Sequence, residues 1–347
     1  MIRCARLVAF TLLSTLVLFS ARAQQQERNN ARPAACDPYD KLEVPAADLP
    51  APEERKALAS CSSEDLYFGF GVAADPVKAR KCAYLQREPA GSEGELRQPV
   101  FGGAGLLSMI YANGKGATRN FDLALKFACE VDDAPAENEL RFAHLLKLQK
   151  ENWSGDDFHL CDDITSGFMQ GMCAGLGEKF AKAERNRKFE KFTVTWSQDE
   201  KKAFQDLQKE AAMFFETGSR NEVDLSGTAR GAFVVEAEAG LHDGFLAALE
   251  RFEKGQLPKF SAADFSKADA ELNSTYAKLQ LHPNKPIGFS TVTSEGIRTT
   301  QRAWLRYREA WVKFGKAKYP TVSADSWRTW LTQNRVKMLK DLTANGT

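Results

Sequence analysis

Thr300-Thr-Gln-Arg-Ala-Trp-Leu-Arg-Tyr-Arg-Glu-Ala-Trp-Val-Lys-Phe314 is the stretch from which the fold can be read. At a period of 3.6 residues, Trp304, Tyr307, Trp311 and Phe314 share one face with Ala303 and Ala310, whereas Arg302, Arg306, Arg308, Glu309 and Lys313 fall mainly on the other sides. A helix carrying two tryptophans seven residues apart needs partners to cover them. Upstream, Ser266–Leu279 sets Leu272, Tyr276 and Leu279 on a second stripe. Downstream, Ser326–Leu339 turns in Trp327, Trp330 or Leu331, and Leu339. Four of the six tryptophans lie between Trp304 and Trp330, so the expectation is three amphipathic helices around an aromatic core.

The same residues carry a resemblance. Asp269-Ala-Glu-Leu-Asn273 with Tyr276, then Gln301-Arg-Ala-Trp-Leu-Arg-Tyr-Arg308, then Thr332-Gln-Asn-Arg335 with Leu339 resemble the LprI-like domain (domain of unknown function 1311) over residues 263–342. The resemblance implies a small helical module and, from the named member of that family, lysozyme inhibition. The chain departs from the pattern where a cysteine often follows the Gln-x-x-Trp helix, a place taken here by Trp311 and its neighbours.

Residues 161–255 read as a diverged second copy. Ala183-Glu-Arg-Asn186 with Phe189 aligns on Ala270-Glu-Leu-Asn273 with Tyr276. Gln208–Glu216 shadows Gln301–Glu309, and Leu241–Leu249 shadows Leu331–Leu339. The two modules would join at Gln256-Leu-Pro-Lys-Phe260. A single continuous helical domain with chance similarity is the alternative.

Earlier in the chain, Leu66–Val72 followed by Asp75–Cys82 reads as helix, glycine turn and return helix. The plan recurs at Leu107–Gly116 and Asn120–Phe127, with Gly71 and Gly116 separated by 45 residues. Arg87–Val100 reads as a loop insert, and a third, degenerate hairpin is expected over Ala136–Lys150. These hairpins resemble Sel1-like repeats, relatives of the tetratricopeptide repeat, over residues 59–160. That resemblance implies a solenoid that presents a protein-binding surface. The fold class is therefore all-α: a Sel1/TPR-like helical-hairpin solenoid followed by two small helical-bundle modules.

The remaining segments concern location. Arg3 and Arg6 precede the apolar run Leu7–Phe19, and Ala21-Arg-Ala23 supplies small residues for cleavage, so residues 1–23 read as a signal peptide. Cys4 precedes the apolar run, which excludes a lipobox. No later stretch is apolar enough to span a membrane, and the expected location is periplasmic or secreted. Residues 24–58 are polar and rich in proline (Pro33, Pro38, Pro45, Pro50, Pro52) and read as a linker that Cys36 pins to the body.

Without residues 1–23 the basic count falls from 47 to 44 against 46 acids, a net charge of −2, which does not suit nucleic-acid binding. The charge is uneven: −6 over residues 24–160, −3 over 161–263 and +7 over 264–347.

Six cysteines remain after the signal: Cys36, Cys61, Cys82, Cys129, Cys161 and Cys173. An even number in an exported chain points to disulfides, with about 15 connectivities open for six. Metal binding near His159, Cys161, Asp162 and Asp163 is the rival, but no Cys-x-x-Cys or paired His spacing supports it. The hairpin reading favours Cys61–Cys82, since a bridge there would clamp helix to return helix. Cys161–Cys173 follows from the resemblance to LprI-like domains, in which a cysteine pair precedes the first long helix. One continuous helix would hold those sulfurs about 18 Å apart, so bends at Gly167 and Gly171 are expected. Cys36–Cys129 is the pair left over.

No catalytic constellation stands out. Gly103-Ala-Gly105 and Gly114-Lys-Gly116 lack the rest of a nucleotide loop, and no nucleophile elbow or His-Glu-x-x-His pair is present. His144, His159, His242 and His282 are scattered, and Asp132/Asp133 and Asp162/Asp163 read as solvated acids. Asn273-Ser-Thr275 fits a glycosylation sequon but lies inside a helical motif. The reading is a non-catalytic binding protein of the envelope, with no cofactor and no metal.

Two partners remain open. One is a protein, the lysozyme implied by the resemblance. The other is an anionic envelope polymer or lipid, bound by a Sel1-repeat adaptor through an outward basic ridge of Arg302, Arg306, Arg308 and Lys313. Lysozymes are commonly basic, which sets that ridge against the first partner.

Overall fold

The computed structural model describes residues 34–87, 99–281, 286–288 and 290–344. The expected signal peptide, His282 and most of the expected loop insert Arg87–Val100 lie outside these residues. Among them are thirteen α-helices and no strand beyond an isolated bridge between Pro286 and Thr293, so the fold is all-α. The chain divides into two compact units, Met1–Ser166 and Gly167–Thr347.

In the N-terminal unit, α1 (Asp37–Asp40) and α2 (Pro52–Ala57) precede two helical hairpins. The first consists of α3 (Ser63–Phe68) and α4 (Pro76–Arg87), the second of α5 (Gly103–Asn113) and α6 (Phe121–Ala128). The 45-residue repeat extends to individual hydrogen bonds. Left-handed Gly69 and Gly114 close the first helix of each hairpin. The Asp75 amide donates to Leu66 O at 2.8 Å and the Asn120 amide to Tyr111 O at 3.0 Å. The Asp75 carboxylate then accepts from the Lys78 amide, and the Asn120 side chain from the Leu123 amide, both at 3.0 Å, starting each return helix. Every residue of α5 is buried, because α4 and α6 both pack on it.

Gly116 has φ +97°, and a Cβ on it would run into the backbone carbonyl of Pro76 at the start of α4. Strain and overlap coincide there, so Gly116→Ala should destabilise this unit by about 1–3 kcal/mol in a urea melt. An unchanged midpoint would mean that the hairpins do not pack this closely.

Three expectations meet a different structure. Residues 34–58 are not an extended linker but a strap docked on the hairpins. The Lys126 ammonium donates to Asp40 O at 2.7 Å, Tyr111 OH to the Asp48 carboxylate at 2.8 Å, and buried Arg80 pairs with Asp48 at 3.1 Å. Proline content gave the strap the look of a tether, while its anchors are carbonyls and one acid that composition does not distinguish. The third hairpin is instead the single helix α7 (Pro135–Lys150), which packs on α6. Finally, Gly167 and Gly171 do not bend a helix.

That last point opens the C-terminal unit. Helix α8 (Gly167–Thr193) begins at Gly167, leaving Cys161 in the turn before it. Gly167 and Gly171 let it approach the start of α10 (Arg230–Glu253), since a Cβ on Gly167 would overlap the backbone at Thr228 and one on Gly171 would lie 3.3 Å from the Ala232 nitrogen. Between α8 and α10 runs α9 (Gln198–Asn221), opened by a capping box of Ser197 and Glu200. Next come α11 (Ala262–Leu279), capped by Ser261 and Asp264, α12 (Ser294–Lys318) and α13 (Ala324–Ala344).

The packing repeats: α8 lies on α10 and α11 on α13, α9 touches α10 and α12 touches α13, and α9 and α12 pack along each other. Phe214 and Tyr307, each six residues after the glutamine of its segment, stack at 5.2 Å and 26° where α9 meets α12. The expected aromatic face is buried: Trp304, Tyr307, Trp311 and Phe314 join Leu272, Trp327, Leu331 and Leu339 in the core. That same cluster holds Phe204, Phe215, Leu249 and Phe252, so residues on both sides of Gln256–Phe260 share one core within one compact unit.

All six described cysteines are disulfide-bonded. Cys36–Cys129 ties the strap to the end of α6 with Cα atoms 5.9 Å apart, and Cys61–Cys82 clamps the first hairpin. Cys161 and Cys173 are bonded as well, which removes Cys161 as a thiolate for metal. This usage suits an extracytoplasmic, oxidising compartment. No helix of the described residues is long and apolar enough to cross a membrane.

Candidate functional site

The exposed side of α12 carries two shallow grooves that meet at Leu305. Helix α12 starts where the Thr293 hydroxyl accepts from the Gly296 amide at 3.1 Å, and its aromatic face is held by the core, which fixes the opposite face in solvent. Leu305 sits on that face with 41% of its surface exposed.

One groove, of about 360 Å³, runs between α11 and α12. Asp269, Asn273 and Tyr276 form one wall and Gln301, Arg302 and Arg308 the other. The second, of about 620 Å³, runs between α9 and α12 past Asp206, Lys209 and Glu210, with Arg306, Glu309 and Lys313 opposite. Leu305 borders both.

All four cations expected to form an outward ridge therefore line these grooves, but in unequal states. Arg302 is exposed and has no ion pair or hydrogen bond among the described residues. Arg306 is half exposed and pairs with Glu210 at 3.1 Å. Arg308 is only 13% exposed: it stacks on Trp304 and Phe265, lies 3.6 Å from Asp269 and donates to Glu309 at 3.1 Å. Lys313 is exposed. The expected basic ridge is thus a mixed-charge surface, because helices α9 and α11 bring acids alongside it. Farther along, Lys318 pairs with Glu200 at 3.4 Å and covers the Trp196 ring. Glu309 also accepts from Arg328 at 2.9 Å, and that bond holds its carboxyl below the usual carboxylate range.

Sequence reading missed Leu305, taken only as part of the helix, and the acids Asp206 and Glu210. The pairing of Glu210 with Arg306 spans 96 residues and left no local signal.

The described histidines lie elsewhere. His144 pairs with Asp163 at 2.9 Å, and the His159 ring nitrogen accepts from the Cys161 amide at 3.0 Å between Phe68 and Phe101. No group of three or more metal-ligating side chains gathers among the described residues. Burial lowers the pKa of both His159 and His242 below the ordinary value of 6.5. The unfolded chain then takes up protons first on acidification, so this stability is complete above about pH 6.5 and is lost as pH falls toward the depressed values. Melting temperature should drop between pH 7.5 and 5.5, and drop less in His159→Gln. A Tm that stays level or rises on acidification in the parent protein would contradict the burial.

Comparison with known families places residues 254–339, which contain α11, α12 and most of α13, in a match to the family described as Lysozyme inhibitor LprI. The α11–α12 groove and Leu305 lie within that match. No curated protein and no solved structure matched the chain.

Proposed function

We propose that this chain is an exported, non-catalytic binding protein of the bacterial envelope whose LprI-like face grips a protein partner, with a lysozyme-type muramidase as that partner. The observation that carries this reading is the Leu305 surface. An exposed leucine between two grooves, ringed by cations and acids, has the composition of a protein-binding patch with an apolar centre and a polar rim. The match of residues 254–339 to an inhibitor family supplies the partner class.

Charge favours this partner over an anionic polymer. Polymer binding draws on unpaired cations in a row, whereas Arg306, Arg308 and Lys318 are each engaged by an acid of α9, α11 or α12. Asp206, exposed and without an ion pair among the described residues, offers a basic enzyme a complementary contact, and the neutralisation of Arg306 and Arg308 by Glu210, Asp269 and Glu309 lessens the mismatch that the net +7 of residues 264–347 would impose. In the same reading α8–α10 is a diverged copy of α11–α13, as their equivalent packing suggests, and the N-terminal hairpins are Sel1-like repeats that hold a second partner.

Turnover of a peptidoglycan suspension by a chicken-type lysozyme, with the purified full chain added in increasing amounts, tests the proposal. Activity should fall with added protein and be restored by Leu305→Glu, which places a charge at the centre of the patch. Undiminished turnover at a large molar excess of the parent protein would reject the muramidase as partner.

A further inference from the structure

The groove between α11 and α12 differs from its neighbour in hydrogen-bonding capacity, and the difference identifies what it would hold. In the α9–α12 groove, Arg306 is matched by Glu210. In the α11–α12 groove two of the acceptors are engaged by neighbouring side chains. The Asp269 carboxylate takes a hydrogen bond from the Asn273 side-chain NH₂ at 3.1 Å and lies 3.6 Å from Arg308 Nη1, and the Gln301 side-chain oxygen accepts from Arg335 Nε at 2.9 Å.

Donors are left over. The Gln301 side-chain NH₂ stays available once its oxygen is engaged. Arg302, exposed, has no ion pair or hydrogen bond among the described residues, whereas Arg308 already faces Asp269 through Nη1 at 3.6 Å and donates to Glu309. Trp304 and Phe265 hold the Arg308 guanidinium in the wall at 5.1 and 5.7 Å, so the spare charge of the groove is that of Arg302. A concave site with surplus donors and spare positive charge fits a ligand that is acceptor-only and anionic.

We infer that the α11–α12 groove is the receptor for a carboxylate side chain, an Asp or Glu presented by the protein partner, read by Arg302 with Gln301 beside it. Leu305 and Tyr276 flank the site and receive the aliphatic part of that side chain. The inference rests on the Leu305 surface being a protein-binding face, and it assigns the two grooves different tasks. The α9–α12 groove, already charge-balanced, supplies contact area, and the α11–α12 groove supplies selectivity for an acid.

The test uses the full chain and small probes, so it does not depend on whether lysozyme is the partner. N-acetyl-L-glutamic acid α-methylamide, its glutamine counterpart and methyl phosphate are titrated separately while the side-chain N–H signals of arginine and glutamine are followed by NMR. The glutamate probe should shift the Gln301 and Arg302 signals saturably, and the glutamine probe should not. Arg302→Gln should weaken the glutamate probe by about tenfold, and Arg306→Gln, in the other groove, should leave it unchanged. Arg302 is exposed, so its variant keeps the fold, which the backbone spectrum verifies. Equal shifts with both amino-acid probes, tighter binding of methyl phosphate, or an Arg302→Gln variant that binds like the parent would each overturn the inference. Failure of lysozyme inhibition with a positive glutamate titration would redirect the partner, not the groove.

Discussion

Trp311→Ala is expected to lower the stability of the C-terminal unit by about 3–5 kcal/mol. The ring is fully buried and meets Phe245, Phe252, Phe314, Trp327 and Trp330 at centroid distances of 5.3–5.9 Å. Those partners come from α10, α12 and α13, so the cavity would lie where three helices converge and none can close it alone. Trp304→Ala should act in the same direction, with the added loss of the ring that holds Arg308. Urea denaturation of the full chain measures both. Midpoints equal to the parent would mean that these tryptophans are a surface platform and not the core.

Glu222→Ala should cost a comparable amount, about 3–5 kcal/mol, by a different route. Arg335 of α13 is wholly buried and donates both terminal nitrogens to the Glu222 carboxylate at 2.5 and 2.6 Å, its Nε going to Gln301 and its flat face to Phe214. Removing the acid strands a guanidinium away from water. Removing both charges does not, so Glu222→Leu with Arg335→Leu should recover much of the loss. A double variant no more stable than Glu222→Ala would show that the pair is not an isolated electrostatic unit.

Much of the core was legible because its signal is local. Trp304, Tyr307, Trp311 and Phe314 repeat at helical spacing within one segment, and all four are buried. The 45-residue hairpin repeat was legible for the same reason, as glycine turns and Asp/Asn caps recur at fixed offsets. What stayed hidden depends on residues far apart in sequence. Arg185 stands where the alignment with α11 places Leu272, and it is buried by bonding Glu178 and, at 2.9 Å, Asp243. Its type suggested surface. Arg80 is likewise buried because the strap brings Asp48 to it. The basic ridge was misjudged in the same way: counting cations along α12 could not reveal Glu210, which α9 carries to Arg306. Charge patterning reads one helix at a time, while neutralisation is a property of the packed pair.

Hydrogen exchange of the full chain, alone and mixed with a chicken-type lysozyme, most directly tests the claim that the Leu305 surface is the protein-binding face. Added protection should appear in peptides covering residues 269–276 and 298–313 and be lost in Leu305→Glu. Protection confined to the N-terminal hairpins, or none at saturating enzyme, would contradict it.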